Sequence, residues 1–267
     1  MKILVCVKQV PEATEVRVNP ETGTLNRDGV ASILNPFCEY AMDLALTVKA
    51  KAPETEIVVL TMGPPQARMA LLRCLEMGAD EGILVTDRRF AGADTWATAL
   101  TIARIIDKLE GVDLILVGKH AIDGDTAQVG PMLAEVLNIP QITYAVGLEV
   151  ETGGKGAGRV KVRRENEGGH ETVQMRLPGL VSVSRGAASR QVCSFEAILA
   201  ARAKEIRAMT ADDLGLDEAE LGLKGSLTQV VKVFPPTVKA PGRIVSGTDA
   251  QKAAAEIVGL LAEKHFV

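Results

Sequence analysis

The hydrophobic residues in the first half of the chain form short continuous runs that alternate with amphipathic segments. Runs rich in Val, Ile and Leu predict strands at residues 3–7, 57–61, 83–85 and 114–117. Apolar residues at helical spacing predict helices at residues 39–50, 66–77, 95–109 and 126–137. Strands that are apolar throughout are typical of parallel sheets covered on both faces, so the pattern predicts an α/β fold with a doubly wound, mostly parallel sheet.

The pattern changes after Pro140. Three strand-like segments separated by two glycine-rich turns predict antiparallel hairpins. The strands are residues 142–150, 159–164 and 171–177, and the turns are residues 153–156 and 168–169. Residues 181–184 are expected to rejoin the main sheet.

The last part of the chain has a different character. A loop and an amphipathic helix are predicted at 191–204, an extended arm at 212–239 and a terminal helix at 249–264. Because terminal segments are poorly ordered unless they are tied down, we expect the arm and helix to lie on another subunit; the alternative is that they fold back on their own domain. The predicted division has three parts: an α/β domain at 1–190 with hairpins at 141–177, a loop and helix at 191–209, and the arm with its helix at 210–267.

Composition and charge narrow the functional classes. The 267-residue chain has a formal net charge of −4 and only 3% aromatic residues, which argues against nucleic-acid binding because a basic surface and base-stacking rings are both lacking. No apolar run approaches the ~20 residues that cross a bilayer, and no secretory signal is evident, so we expect a cytoplasmic protein without membrane insertion. The four cysteines are far apart and form no CxxC motif, so no zinc or iron–sulfur site is predicted.

Candidate chemistry concentrates between the fourth predicted strand and the fourth predicted helix. Open α/β sheets bind ligands beyond the carboxyl ends of their strands, where residues 6–10, 61–64 and 117–131 are expected to arrive. In the third segment, Gly118 and Gly124 permit close backbone approach and unusual dihedral angles. This segment suits a nucleotide diphosphate at the start of the helix, although an ordinary capped turn is the alternative.

Side chains of the same segment support the nucleotide interpretation. Asp125 or Thr126 can cap the helix, and Gln128 can hydrogen-bond a ribose or a base. Asp123 and Asp125 could instead hold Mg²⁺, but no third ligand is near in the sequence, so no metal site is predicted. His120 could contact a cofactor or be a plain loop histidine.

The first long helix has its own start signal. Asn35 can cap this helix, and Pro36 suits its first turn. One interpretation is simple capping with Phe37 in the core. The other is that the start of this helix also faces the nucleotide.

Four stretches together resemble the β subunit of electron transfer flavoproteins. They are residues 5–8, 35–39, 118–123, and 162–173 with Pro178 after them. The resemblance implies a fold like that of the adenine nucleotide α-hydrolases and a heterodimer with an α subunit. In ordinary members of the family the nucleotide site of the β subunit holds a structural AMP. In bifurcating members it holds a second FAD, which takes hydride from NADH and sends the two electrons along separate routes.

Two features indicate the bifurcating branch. Residues 124–131 and 222–226 both resemble that branch, and the small residues Gly124 and Ala127 leave room for a larger ligand. His120 stands where the family usually has Gln. The alternatives are an ordinary β subunit with AMP and a nucleotide-binding sensor module of the same fold.

The resemblance also implies site residues and partners. Carried over by position, the cofactor contacts are Cys6, Asn35, Pro36, Phe37, Cys38, Met62, Gly118, Lys119, His120, Ala121, Ile122, Asp123, Gly124, Asp125, Thr126, Ala127, Gln128 and Val129. The family's recognition loop corresponds to Val192, Cys193, Ser194 and Phe195, with Phe195 as the apolar residue that docks on a dehydrogenase or quinone oxidoreductase; the alternative is that Phe195 packs on its own helix. Ferredoxin or flavodoxin is the expected low-potential acceptor.

Overall fold

The computed structural model of the chain describes residues 1–12, 17–18, 25–26, 31–151, 158–190, 192–231, 242, 244 and 249–267. Its strands are β1 Lys2–Cys6, β2 Gln9–Pro11, β3 Arg17–Val18, β4 Leu25–Asn26, β5 Ser32–Leu34, β6 Glu56–Met62, β7 Glu81–Val85, β8 Leu114–Gly118, β9 Gln141–Glu151, β10 Arg159–Asn166, β11 Gly169–Arg176, β12 Gly179–Val183 and β13 Ile206–Met209. Its helices are α1 Pro36–Lys51, α2 Arg68–Met77, α3 Thr95–Lys108, α4 Val129–Val136, α5 Phe195–Ala203, α6 Ala211–Leu214, α7 Gly222–Gly225 and α8 Ala250–Glu263.

A nine-stranded sheet runs in the order β11-β10-β9-β12-β8-β1-β6-β7-β13. Every neighbouring pair from β9 to β13 is parallel, and β10 and β11 extend the sheet as antiparallel strands. The predicted α/β class with a mostly parallel sheet is therefore confirmed. The hairpin strands continue this sheet, and β12 rejoins it as predicted.

Both faces of the central parallel strands β1, β6, β7, β8 and β12 are buried. Along β1, Ile3 and Val5 face the core formed with α1 and α2, whereas Leu4 faces the core formed with α3 and α4. Successive side chains of a strand point to opposite faces, so a strand between two helical layers must be apolar at every position. This explains the continuous apolar runs in the sequence.

The order of the strands reverses beside β1. After β1 the chain builds β6 and β7 on one side, then returns to place β8 on the other side. Helices α1 and α2 pack on one face of the sheet, and α3 and α4 pack on the other. In a doubly wound sheet this reversal opens a crevice at the carboxyl ends of the two central strands, here β1 and β8.

The structure differs from the sequence prediction at the end of the sheet and in the arm. β13, which pairs with β7 in parallel, was not predicted. The beginning of the expected arm contains α6 and α7, and Leu214 and Leu221 are buried in the core formed with α3 and α4. The predicted turn at 153–156 and residues 232–239 of the predicted arm lie outside the described residues.

The chain divides into two compact units. One comprises residues 1–17 and 25–231, and the other comprises residues 18–24 and 232–267. The terminal helix predicted at 249–264 is present as α8, in the second unit. Its apolar residues Ile257 and Val258 are exposed among the described residues.

Candidate functional site

The carboxyl ends of β1, β6 and β8 meet at the crevice. Cys6, the last residue of β1, pairs in register with Leu60 of β6 on one side and Val117 of β8 on the other. Met62 ends β6. The three segments that were expected to converge therefore leave neighbouring strands at the same edge of the sheet.

The start of α1 packs tightly on the end of β8. A Cβ atom added to Gly118 would lie 2.9 Å from the Phe37 carbonyl carbon and 3.0 Å from the Cys38 backbone nitrogen. Backbone atoms cannot move aside as a flexible side chain can, so this position requires glycine. Pro36 lies in the first turn of α1, as predicted.

Asn35 links α1 to the segment between β8 and α4, which we call the β8–α4 loop (residues 119–128). Its buried side chain donates from Nδ2 to the His120 carbonyl at 2.9 Å and accepts at Oδ1 from the Ile122 amide at 3.2 Å. The predicted capping role is wrong, since this side chain makes no cap hydrogen bond to α1. The side-chain amide of Asn35 instead bonds to the backbone of the β8–α4 loop.

The helix after the β8–α4 loop begins three residues later than predicted. Asp125 and Ala127 have φ angles of 50° and 54°, which belong to the left-handed region and cannot continue a right-handed helix. α4 therefore begins at Val129 with Gln128 at the N-cap position, and neither Asp125 nor Thr126 caps it. Gly124, which was expected to permit unusual dihedral angles, does not have a positive φ, and a Cβ there would meet open space.

The late start of α4 leaves backbone donors available. Among the described residues, no hydrogen bond uses the amides of Thr126, Ala127 or Gln128. The first amides of a helix also lack partners within the helix. Consecutive free amides at a helix start are the groups that hold phosphate oxygens in nucleotide-binding proteins.

Charges around the β8–α4 loop are paired. Lys8 Nζ contacts both carboxylate oxygens of Asp123, at 2.8 and 2.9 Å, and His120 Nε2 lies 3.3 Å from Asp125 Oδ1. The two carboxylates considered for Mg²⁺ thus have different partners. Among the described residues, no group of three His, Cys, Asp or Glu side chains could hold a metal ion.

Aromatic contacts orient two side chains of the β8–α4 loop. The rings of His120 and Phe37 are 4.2 Å apart, and the His120 side chain is 19% exposed. Lys119 Nζ lies 4.7 Å from the centre of the Tyr144 ring. The His120 side chain is therefore packed against Phe37 of α1 and is not a freely solvated loop histidine.

The thiols at the crevice are not poised for reaction. Burial raises the pKa of the Cys6 thiol to about 12, with a further increase from the neighbouring Cys38 thiol. Burial also raises the pKa of Cys38, against smaller opposing effects from hydrogen bonds. Both thiols stay protonated at neutral pH, and a protonated thiol is a poor nucleophile.

The predicted recognition residues 192–195 lie at the start of α5, and all of them except Cys193 are exposed. Val192 is 95% exposed and Phe195 is 70% exposed, which argues against the alternative that Phe195 packs on its own helix. Ser194 caps α5 by accepting from the Ala197 amide, and Cys193 Sγ accepts from Arg73 Nη1 at 3.2 Å. We call residues 192–199 the docking segment.

The docking segment includes Leu199, which the sequence analysis missed. Leu199 is 51% exposed and lies one turn after Phe195, on the same face of α5. The i, i+4 spacing from Phe195 was the available signal. The segment borders a groove of about 350 Å³ whose lining includes Val192, Cys193, Ile198 and Arg73.

Two further residues beside the crevice were missed as site residues. Thr95 Oγ1 donates to Gln128 Oε1 at 3.1 Å, and Lys8 neutralises Asp123. No local sequence pattern predicts either contact, since each joins residues that are far apart in the chain. Asp94, just before α3, caps this helix by accepting from the Ala97 amide.

Comparison with known proteins adds an independent finding. The family model described as "Electron transfer flavoprotein domain" matches residues 22–214. The chain is 43% identical, over the full length of both chains, to the caffeyl-CoA reductase-Etf complex subunit CarD of Acetobacterium woodii. It is 45% identical, again over both full lengths, to the electron transfer flavoprotein subunit beta of Clostridium acetobutylicum.

A third relative is Protein FixA of Azotobacter vinelandii. It is 41% identical over 241 residues, which cover 88% of this chain and 84% of FixA. In the part of the chain that the structure describes, no helix has the length and apolar character needed to span a membrane.

Proposed function

The chain belongs to the electron transfer flavoprotein family as a β-type subunit, and on that basis we propose that it works with an α-type subunit as an electron-bifurcating carrier. When bound at the crevice, FAD supplies the redox chemistry by accepting hydride from NADH and releasing the two electrons to different acceptors. One acceptor is a dehydrogenase or quinone oxidoreductase, reached through the α subunit, and the other is ferredoxin or flavodoxin. We place this activity in the cytoplasm.

The observation that carries the proposal is the row of free amides in the β8–α4 loop. The amides of Thr126, Ala127 and Gln128 use no acceptor among the described residues, and they precede α4, whose amino end favours negative charge. A diphosphate supplies several acceptor oxygens to such a row. The protein thus holds the cofactor mainly through backbone amides. Substituting a side chain leaves these amides in place.

The charges beside the row also suit a diphosphate. Asp123 would repel an anion, but its carboxylate is paired with Lys8 on both oxygens. The Asp125 side chain is 79% exposed, so water and salt screen its charge, and His120 Nε2 lies 3.3 Å from its Oδ1. The acidic residues therefore do not prevent a phosphate from approaching the amides.

Room for a dinucleotide comes from the loop backbone. Gly124 has no side chain, and no atom lies within 4 Å of the point where its Cβ would be. Ala127, at a left-handed φ, contributes only a methyl group. These features support FAD, which is larger than AMP.

The relatives support the redox part of the proposal. One is named as a subunit of a caffeyl-CoA reductase-Etf complex, and another, from Anaerotignum propionicum, as an acryloyl-CoA reductase electron transfer subunit. We propose by analogy that this chain delivers electrons to a dehydrogenase or reductase. Val192, Phe195 and Leu199 are the exposed apolar side chains that would dock on such a partner.

Nucleotide content tests the proposal. The complex with the α-type subunit is purified, denatured, and its released nucleotides are counted by chromatography. Two FAD molecules per heterodimer are expected, and bleaching of the flavin absorbance by NADH should follow in the intact complex. One FAD with one AMP would overturn the bifurcating assignment, and ATP without flavin would indicate a nucleotide sensor.

A further inference from the structure

The amino end of α3 holds a distant part of the chain through one carboxylate. Asp94 Oδ1 accepts from the Ala97 amide at 2.9 Å and so caps α3. Asp94 Oδ2 accepts from the Leu227 amide, the Thr228 amide and the Thr228 hydroxyl, each at 2.9 Å. Both oxygens of one side chain are thus used, one for the helix and one for residues 227–228.

A glycine turn brings residues 227–228 to this carboxylate. Gly222 has a φ of 52°, and a Cβ there would lie 2.2 Å from the Arg89 carbonyl oxygen. Only glycine allows this approach. Ser226 Oγ then accepts from the Asp94 amide and donates to the Gly222 carbonyl, both at 2.8 Å.

Hydrogen bonds, and not apolar packing, hold residues 227–228. Leu227 is 76% exposed, and Val230 and Val231 beyond it are exposed as well, so burial contributes little free energy here. Burial by itself would raise the pKa of Asp94, but hydrogen bonds from Ala97, Thr228 and Leu227 lower it overall. The carboxylate is therefore ionised, and charged acceptors form the stronger hydrogen bonds.

The next residue of α3 reaches the proposed cofactor site. Thr95 Oγ1 donates to Oε1 of Gln128, whose own carbonyl accepts from the Met132 amide in α4 at 3.0 Å. Two consecutive residues, which we call the α3 corner (Asp94 and Thr95), thus bond to residues 227–228 on one side and to the β8–α4 loop on the other. No other described hydrogen bond links Gln128 to α3.

We propose that the α3 corner couples nucleotide binding in the β8–α4 loop to the seating of residues 227–228. A nucleotide that orders Gln128 holds the acceptor of Thr95 in place, which favours the position of Asp94 that bonds Leu227 and Thr228. Binding linkage is reciprocal, so seated residues 227–228 favour nucleotide binding in turn. Asp94 and Thr95 are positioning residues, and the inference rests on the proposed function because it requires a nucleotide in this loop.

Hydrogen exchange of the complex with its α-type subunit tests the coupling, with and without added FAD and, separately, AMP. In the wild type, FAD should slow exchange of the Leu227 and Thr228 amides about two- to tenfold, the range that one hydrogen bond contributes. Thr95→Val should abolish this slowing while the β8–α4 loop is still protected by FAD. The control Thr98→Val, on the same helix, should respond as the wild type does, since Thr98 makes no side-chain hydrogen bond among the described residues.

Asp94→Asn tests the other half of the α3 corner. Asparagine still caps α3 but loses one of the two carboxylate acceptors, so both amides should exchange about two- to tenfold faster without nucleotide. Unchanged exchange in Asp94→Asn, or an undiminished FAD response in Thr95→Val, would overturn the coupling. Protection of the β8–α4 loop without any response at residues 227–228 would overturn the coupling alone. No protection by FAD or AMP anywhere would overturn the proposed function and the coupling with it.

Discussion

The β8–α4 loop and the docking segment present opposite kinds of surface. The loop is held by a buried amide, Asn35, and by the close approach of Gly118 to α1, and it offers backbone amides. The docking segment offers the exposed side chains of Val192 and Phe195. Substitutions in or beside the loop should therefore change stability or cofactor content, whereas substitutions in the docking segment should change only what the protein binds.

Gly118→Ala is the most damaging test of this difference. The added Cβ would lie 2.9 Å from the Phe37 backbone, and relieving such overpacking costs roughly 1–3 kcal/mol. Gly124→Ala is the matched control, because the same methyl group there meets open space. Thermal unfolding of the full chain should show a lower Tm for the first variant and little change for the second. Equal Tm values would contradict the close packing of α1 on β8.

Gly124→Asp should remove the cofactor and leave the fold intact. The side chain enters open space, but its charge lies in the loop that we propose holds a diphosphate. Like charges a few ångströms apart repel by an amount that weakens binding roughly tenfold or more. Gly124→Asn, which is equal in size and neutral, is the control. Bound FAD is measured after purification of the complex; equal FAD content in both variants would contradict the placement of the diphosphate.

The fold was predictable where its signals are local. The apolar runs of β1, β6, β7 and β8 reflect burial on both faces of the sheet, which any buried parallel strand requires. β13 was missed because its four residues, with Arg207 and Ala208 at its centre, have a weak pattern of their own. Its strand conformation depends on pairing with β7, more than a hundred residues earlier.

The site was predictable in its location but not in its internal bonding. The glycines and the strand order indicated the crevice, yet the partners of Asn35 lie 85 and 87 residues away in the sequence. Asp125 and Thr126 are good capping residues, so the sequence favoured a helix start there. Because Asp125 and Ala127 adopt left-handed conformations, α4 begins only at Val129. Asp adopts this conformation occasionally, but Ala rarely does, so the sequence did not indicate it.

Phe195→Ala tests whether a substitution in the docking segment changes partner binding alone. Because Phe195 is 70% exposed, its truncation should leave the Tm and the FAD content unchanged. Loss of a central apolar contact typically costs about 2 kcal/mol of binding free energy, so electron delivery to the partner dehydrogenase should fall by more than tenfold at limiting concentrations. Phe195→Leu keeps an apolar side chain and should restore most of the rate. Equal rates in the alanine variant and the wild type would place the docking contact elsewhere.

Thiol labelling disturbs the protein least, because it uses the native cysteines. It compares the reactivity of Cys6, at the crevice, with that of Cys193, in the docking segment. Burial raises the pKa of the Cys6 thiol to about 12, so this thiol is almost wholly protonated at pH 8, and the thiolate is the reactive form. Burial raises the pKa of Cys38 as well. Cys6 and Cys193 are both partly exposed, so the raised pKa of the Cys6 thiol is what should slow its reaction. Iodoacetamide followed by peptide mass spectrometry should therefore modify Cys193 first, and a docked dehydrogenase should protect it. Chain unfolded in guanidinium is the control, in which all four cysteines should react. Modification of Cys6 before Cys193 in the folded protein would contradict the raised pKa of the Cys6 thiol.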